Sequence, residues 1–313
     1  MLGYILRRLI ATIPVMGVVA VAVFLLLRLA PGDPAIIMAG DAATPEQLAE
    51  MRERMGLNES YVVQFVLWAG QLLQGHLGVS LQSNVSVASM IGDRFGPTLC
   101  LAIVTMTFSI LIAVPLGVIA AWARGTIIDR VVMTIAVLGF STPVFVTGYG
   151  LVYLFSLKMR WFPVQGYNAP DAGLFDFFLT ITLPALTLST IYIALIARIA
   201  RSSVLEVLGE DYIRTARAKG AKERTVFLRH ALRNAAVPIV TVIGSGAAFL
   251  ISGVVVTESV FNIPGLGRLV VESVLARDYP AIQALILLFA LIYILINLAV
   301  DVLYTVFDPR IRY

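Results

Sequence analysis

The side chains able to do bond-making chemistry are few and scattered. Two histidines, His76 and His230, stand far apart in the sequence, and the single cysteine, Cys100, excludes an internal disulfide and a cysteine metal cluster. Both histidines read as isolated polar residues. The glycine-rich run Ile263-Pro-Gly-Leu-Gly-Arg268 invites comparison with a phosphate loop. It lacks the Gly-Lys-Ser/Thr ending and the strand that should precede it, so a tight re-entrant turn is expected. What remains is basic: DYIRTARAKG, Asp211–Gly220, with HALRNA at His230–Ala235. Cations, small residues and one tyrosine at helical spacing suit docking rather than catalysis.

Composition sets the elements that must carry these residues. The 313-residue chain is 59% hydrophobic and 13% charged, against about a quarter charged in soluble domains. A span needs about 20 apolar residues. Six stretches qualify: Leu9–Leu29, Thr98–Trp122, Val131–Leu157, Leu179–Ala200, Val237–Val256 and Ala281–Phe307. The chain therefore reads as an all-α polytopic membrane protein with the lipid bilayer as a partner. The first stretch follows Arg7 and Arg8 but is longer than a signal-peptide core and has no clear small-residue cleavage site, so it reads as a retained span. A net charge of +4 gives no reason to expect nucleic acid as a partner.

The basic residues orient the spans. With a cytoplasmic N-terminus, 15 of the 23 Lys and Arg residues fall on the inner side, among them Arg7, Arg8, Arg124, Arg130, Arg201 and the whole of Arg214–Arg233. Both termini are then cytoplasmic. The long connection at 30–97 is extracytoplasmic and holds two expected helices. TPEQLAEMRERMGL, Thr44–Leu57, starts with a cap candidate and proline at the first helical position. YVVQFVLWAGQLLQG, Tyr61–Gly75, is apolar, too short to span and interrupted by glutamines.

The inner segment at 201–236 is expected to fold locally. Gly209 breaks the fourth span. Asp211–Lys219 then forms a helix with acids at its start, bases at its end and Gly220 in the left-handed position that stops it. Glu210 and Arg214 are set for an i,i+4 pair. Tyr212, Thr215, Ala216 and Lys219 share one side. A second short helix, Glu223–Asn234, leads to the fifth span. So short a helix is unstable alone, and on physical grounds contact with anionic lipid and docking to a protein remain equally open.

The chain resembles the inner-membrane permease subunits of ABC importers, in the dipeptide, oligopeptide and nickel group. The residues that carry the resemblance run through nearly the whole chain: LRRL near Leu6, LAPGDP at Leu29–Pro34, LGVSL at Leu77–Leu81, DYIRTARAKG, HALRNA, FNIPGLGRLV, RDYPAIQ and the ending DPRIRY. The family's cytoplasmic motif, EAA followed by three residues and glycine, falls on Arg214, Thr215, Ala216 and Gly220; the glutamate is absent. The resemblance implies a type I ABC importer permease fold in one transmembrane domain over 1–313, with 201–236 as the coupling-helix loop.

It further implies a second, similar permease subunit, two cytosolic ATPase subunits and an extracytoplasmic substrate-binding protein in the bacterial inner membrane. The chain itself would be no enzyme and hold no cofactor, ATP and Mg belonging to the ATPases. The implied docking surface is Tyr212, Arg214, Thr215, Ala216, Arg217 and Gly220, supported by Val226, His230 and Leu232. Candidate pathway residues are Ser141, Thr142, Tyr149, Ser245, Ser252 and Glu258, polar groups in or beside the third and fifth spans. Glu258 could equally be a plain loop carboxylate. Nickel or glutathione are the alternative cargoes. An ion-driven transporter would need a carboxylate at mid-depth, and none is apparent. A lipid-binding scaffold would have no ATPase partner.

Overall fold

The structure, a computed structural model, describes residues 2–29, 35–36, 43–54 and 56–307. The motif residues at 30–34 and 308–313, with Arg310 and Arg312, lie outside the described residues. The elements are helical throughout: α1 Leu2–Leu29, α2 Pro45–Arg54, α3 Tyr61–Leu73, α4 Val87–Trp122, α5 Ile127–Ser141 and α6 Val144–Leu151. They continue with α7 Leu174–Leu208, α8 Asp211–Ala218, α9 Leu232–Phe261, α10 Leu266–Leu275 and α11 Tyr279–Phe307. Among the described residues the only β pairing is an isolated bridge between Val79 and Ser86.

The expected spans map onto α1, α4, the pair α5 and α6, α7, α9 and α11. With 28 residues, α1 is about 42 Å long, ample for a hydrocarbon core of about 30 Å. The third span differs from expectation. It is two helices bent by 108° at Thr142-Pro143 rather than one. Pro143 supplies no N–H and pushes the residue before it out of helical geometry, and Thr142 sits at φ −87° and ψ 126°. The second half continues from α6 through a π-helical turn, Val152–Lys158.

Helix α7 runs beyond the apolar stretch of the fourth span to Leu208 and is capped by Gly209, where the sequence places the break. One other expectation is corrected. The short helix expected at Glu223–Asn234 is not separate. Glu223–Thr225 passes through a π-helical segment, Val226–Ala231, directly into α9.

The chain, read from sequence as one domain, divides into two compact units. The first comprises Met1–Gly96 with Arg268–Ile294, the second Pro97–Gly267 with Leu295–Tyr313. In the second unit, α7 is the central helix. Leu183, Leu188, Ile196 and Ala197 are buried along it against Leu101 of α4 and Leu250 and Val254 of α9. Small residues permit the closest approaches. A Cβ on Gly117 would lie 2.6 Å from the carbonyl of Ala197 and 2.7 Å from the Cβ of Ala200, so α4 and α7 meet there backbone to backbone.

In the first unit, Val87, Ala281 and Ala284 form a small core. Here the LGVSL and RDYPAIQ motifs meet: the buried Ser80 hydroxyl donates to Asp278, whose other oxygen accepts the backbone N–H of Leu81 at 3.1 Å. Arg94 pairs with Glu272 at 2.7 Å, and Arg268 reaches the same carboxylate at 2.7 Å.

Candidate functional site

The inner basic segment is built as its sequence suggests, and its end is set by glycine. Gly220 sits at φ +78°. Its N–H bonds to the Arg217 carbonyl at 2.9 Å, and the N–H of Ala221 reaches back to Ala216 at 3.2 Å. This pair of bonds is the Schellman closure, which needs a left-handed residue at that position. Helix α8 ends at Ala218, with Lys219 as its cap.

One side chain fixes α8 to the body of the protein. Ile213 is completely buried, while Tyr212, Arg214, Thr215, Arg217 and Gly220 are exposed and Ala216 is half-buried. Burying an isoleucine contributes about 2 kcal/mol, more than the surface pairs around it. The Tyr212 hydroxyl accepts a hydrogen bond from Asn234 Nδ2 at 2.8 Å, and the same amide donates to the His230 carbonyl at 3.0 Å. This joins α8 to the start of α9. Arg217 grips Glu223 through two bonds, at 2.9 and 3.3 Å. Arg214 does not pair with Glu210 as expected but with Asp211, at 3.2 Å. That pair is open to solvent and contributes little.

The supporting residues divide. His230 and Leu232 are half-buried, at the π-helical segment and the first turn of α9. Val226 is completely buried and offers no side chain to a partner; it belongs to the packing beneath the surface. Beside Tyr212 opens a cleft of about 570 Å³ lined by Ser203, Glu206, Glu210, Asn234 and Pro238, among others. The surface around α8 therefore has a basic helix and an acidic flank. Sequence reasoning also passed over Asp129. It lies buried at the start of α5, accepts Arg201 Nε at 2.6 Å and Nη2 at 2.8 Å, and takes the N–H of Gly125 at 3.0 Å. The pair ties the α4–α5 turn to α7 ten residues before α8. An acid three residues past Thr126 carries no local signal for a partner so distant in sequence.

The candidate pathway residues do not form one cluster. Ser141 and Thr142 stand at the break between α5 and α6, where Thr142 Oγ1 bonds the Leu138 carbonyl at 2.8 Å. Tyr149 is exposed on α6. Ser245 is half-buried and bonds back to Thr241 and Val242 at 3.1 and 3.2 Å. The side chain of Ser252 lies outside the described residues.

Glu258 is no loop carboxylate. It is completely buried in α9 and bonded by Thr98 Oγ1 at 2.6 Å. A Cβ on Gly265 would collide with its carboxylate, and one on Gly267 would lie 2.6 Å from the Cα of Val255 and 3.0 Å from Glu258 Oε2. The glycines of FNIPGLGRLV thus admit an acidic side chain beneath a turn, which is what their spacing serves here in place of a phosphate. Asn262 begins that turn in left-handed geometry at φ +54°.

The fold thus combines long apolar helices, a short basic helix between α7 and α9 and a glycine-closed turn. The chain belongs to the family of binding-protein-dependent transport system membrane components. Its residues 113–313 match the binding-protein-dependent transport system inner membrane component, and residues 1–102 match the N-terminal region of the same membrane components. It is 53% identical over 310 residues to the probable peptide ABC transporter permease protein y4tP of Sinorhizobium fredii, covering 99% of both chains. It is 47% identical over 313 residues to the glutathione transport system permease protein GsiC of Salmonella choleraesuis, covering 100% of both. Its fold is similar to a chain of the inward-facing MetNI methionine ABC transporter, at TM-score 0.59 and 19% identity over 71% of this chain and 97% of that one. The protein is a multi-pass inner-membrane transport component of an ABC importer.

Proposed function

We propose that this chain forms half of the translocation pathway of an importer for di- or oligopeptides, with glutathione or nickel complexes as the alternative cargo. The peptide reading is supported by the relative named for peptide transport and the one named for glutathione, itself a short peptide. A second permease subunit supplies the other half, two cytosolic ATPases hold ATP and Mg, and a binding protein delivers cargo from outside. Both termini lie in the cytoplasm.

The observation that carries the coupling role is α8. It is a basic helix stopped by Gly220, pinned through Ile213 and tied through Tyr212 and Asn234 to α9. In this reading an ATPase holds the exposed face of α8. Closure of the ATPase pair on ATP shifts α8, and its rigid attachments pass that shift into α7 and α9. The Asp129–Arg201 pair carries it on to the α4–α5 turn. Hydrolysis resets the helices. The test is co-purification of the co-expressed ATPases with this chain, followed by ATP hydrolysis in the reconstituted complex. Stimulation by the binding protein and a peptide is expected. Loss of ATPase capture on reversing Arg214 and Arg217 is expected too; full capture by that variant would overturn the docking role of α8.

A further inference from the structure

The cleft beside Tyr212 holds two carboxylates that the rest of the second unit does not use. Glu206, in the last turn of α7, and Glu210, the residue before α8, both line it. Neither side chain bonds to or pairs with a described residue. The helix continues past Glu206, whose carbonyl accepts the N–H of Gly209 at 3.0 Å. The two acids therefore stand about one turn apart, roughly 6 Å along the axis. Ser203, only 6% exposed, lines the same cleft. Two anions at that spacing suit two cations carried on one short stretch of chain.

The sequence supplies such a stretch. Residues 308–313 read DPRIRY, with Arg310 and Arg312 at alternate positions. In an extended segment alternate side chains share a side, about 6.6 Å apart. Helix α11, which leads into these residues, brings them to the level of the cleft. Its Val300 lies against Gly244 of α9, where an added Cβ would come within 2.8 Å of Val300 Cγ1. Successive spans run in opposite directions. The seven residues from Val300 to Phe307 therefore descend about 10 Å beside the stretch of α9 that leads back to Pro238, about 9 Å from Gly244. Pro238 lines the cleft, together with Asn234 and Ala235. Six extended residues reach about 20 Å, and Pro309 has no N–H with which to continue a helix. We propose that residues 308–313 dock in this cleft, with Arg310 and Arg312 paired to Glu206 and Glu210. The docked segment ties the end of α11 to the junction of α7 and α8. The pairing joins residues of one chain and depends on neither the cargo nor the ATPases.

The test uses the full-length chain in a neutral detergent, with Arg310→Lys and Arg312→Lys so that each cation becomes an amine. A water-soluble carbodiimide joins an amine to a carboxylate only where the two touch, and mass spectrometry locates the amide. Links from positions 310 and 312 to Glu206 and Glu210 are expected. Their yield should exceed that at Asp211, the neighbouring acid whose side chain is 93% exposed, at least about fivefold, the effect of two partly exposed ion pairs. Salt at about 1 M should reduce the excess. A second measurement places one thiol in the cleft wall, by Val207→Cys in a Cys100→Ser background. Its alkylation by a water-soluble maleimide should quicken at least about fivefold when Arg310→Gln and Arg312→Gln are added. Elution volume and thermal midpoint identify variants that stay folded. Equal links to Asp211 and to the two glutamates overturn the proposal, as does an unchanged labelling rate in the folded glutamine variant. Links between two copies of the chain in place of internal ones overturn it too, since they assign the cleft to a second copy.

Discussion

Thr98 Oγ1 donates to Glu258 at 2.6 Å and accepts the backbone N–H of Leu266 at 2.8 Å, joining residues 160 and 168 apart in sequence. One hydroxyl thus links a buried carboxylate of α9 to the first residue of α10. Thr98→Val keeps the shape and removes both bonds. A lost hydrogen bond to a charged group costs about 1.5–3 kcal/mol. A lower thermal midpoint in detergent is expected, with the fold retained; an unchanged midpoint would show that the link contributes nothing.

Gly267→Ala tests the close approach above the same carboxylate. The added Cβ would lie 2.6 Å from the Cα of Val255, a backbone atom that cannot swing aside. Overpacking of this kind costs about 1–3 kcal/mol. Reduced thermal stability is expected, and with it a reduced rate of peptide uptake in proteoliposomes.

Gly220→Val should uncouple transport without loss of the membrane core. The site has open space around it, so the obstacle is backbone geometry alone. A side chain in the left-handed region costs about 1–2 kcal/mol, and branching makes it worse. Binding-protein-stimulated ATP hydrolysis should fall several-fold in the valine variant. Gly220→Asn should retain more, because asparagine tolerates that region. Equal activity in both would refute the geometric argument.

The Asp129–Arg201 pair invites a double-mutant cycle. Asp129→Asn leaves Arg201 without its carboxylate, and each single change is expected to destabilise by about 2 kcal/mol. The double replacement Asp129→Asn with Arg201→Gln should cost less than the sum of the singles. Simple additivity in thermal denaturation would mean that the two side chains do not support each other.

Much of this was legible in the residues themselves. Apolar runs of 20 or more demand helices because a bilayer satisfies no backbone group, so α1, α4, α7, α9 and α11 follow from hydropathy. The stop of α8 was equally readable, since only glycine takes φ +78° without cost and bases gather before it. Local rules govern both features. The break at Thr142-Pro143 was less readable, because proline inside a span is tolerated more often than it bends a helix by 108°.

Tertiary structure decided what depends on distant partners. Glu258 became a buried anchor only when Thr98 came beside it. Val226 left the expected surface because its neighbours cover it, and Asp129 gained a role because α7 carries Arg201 to it. His76, isolated in sequence, joined Arg28 and Gln283 around one cavity. The sequence by itself determined the helices, where the backbone must satisfy its own hydrogen bonds within a segment. Which polar side chains share a space was settled by packing, because those contacts join residues far apart in sequence, 198 positions at Ser80 and Asp278.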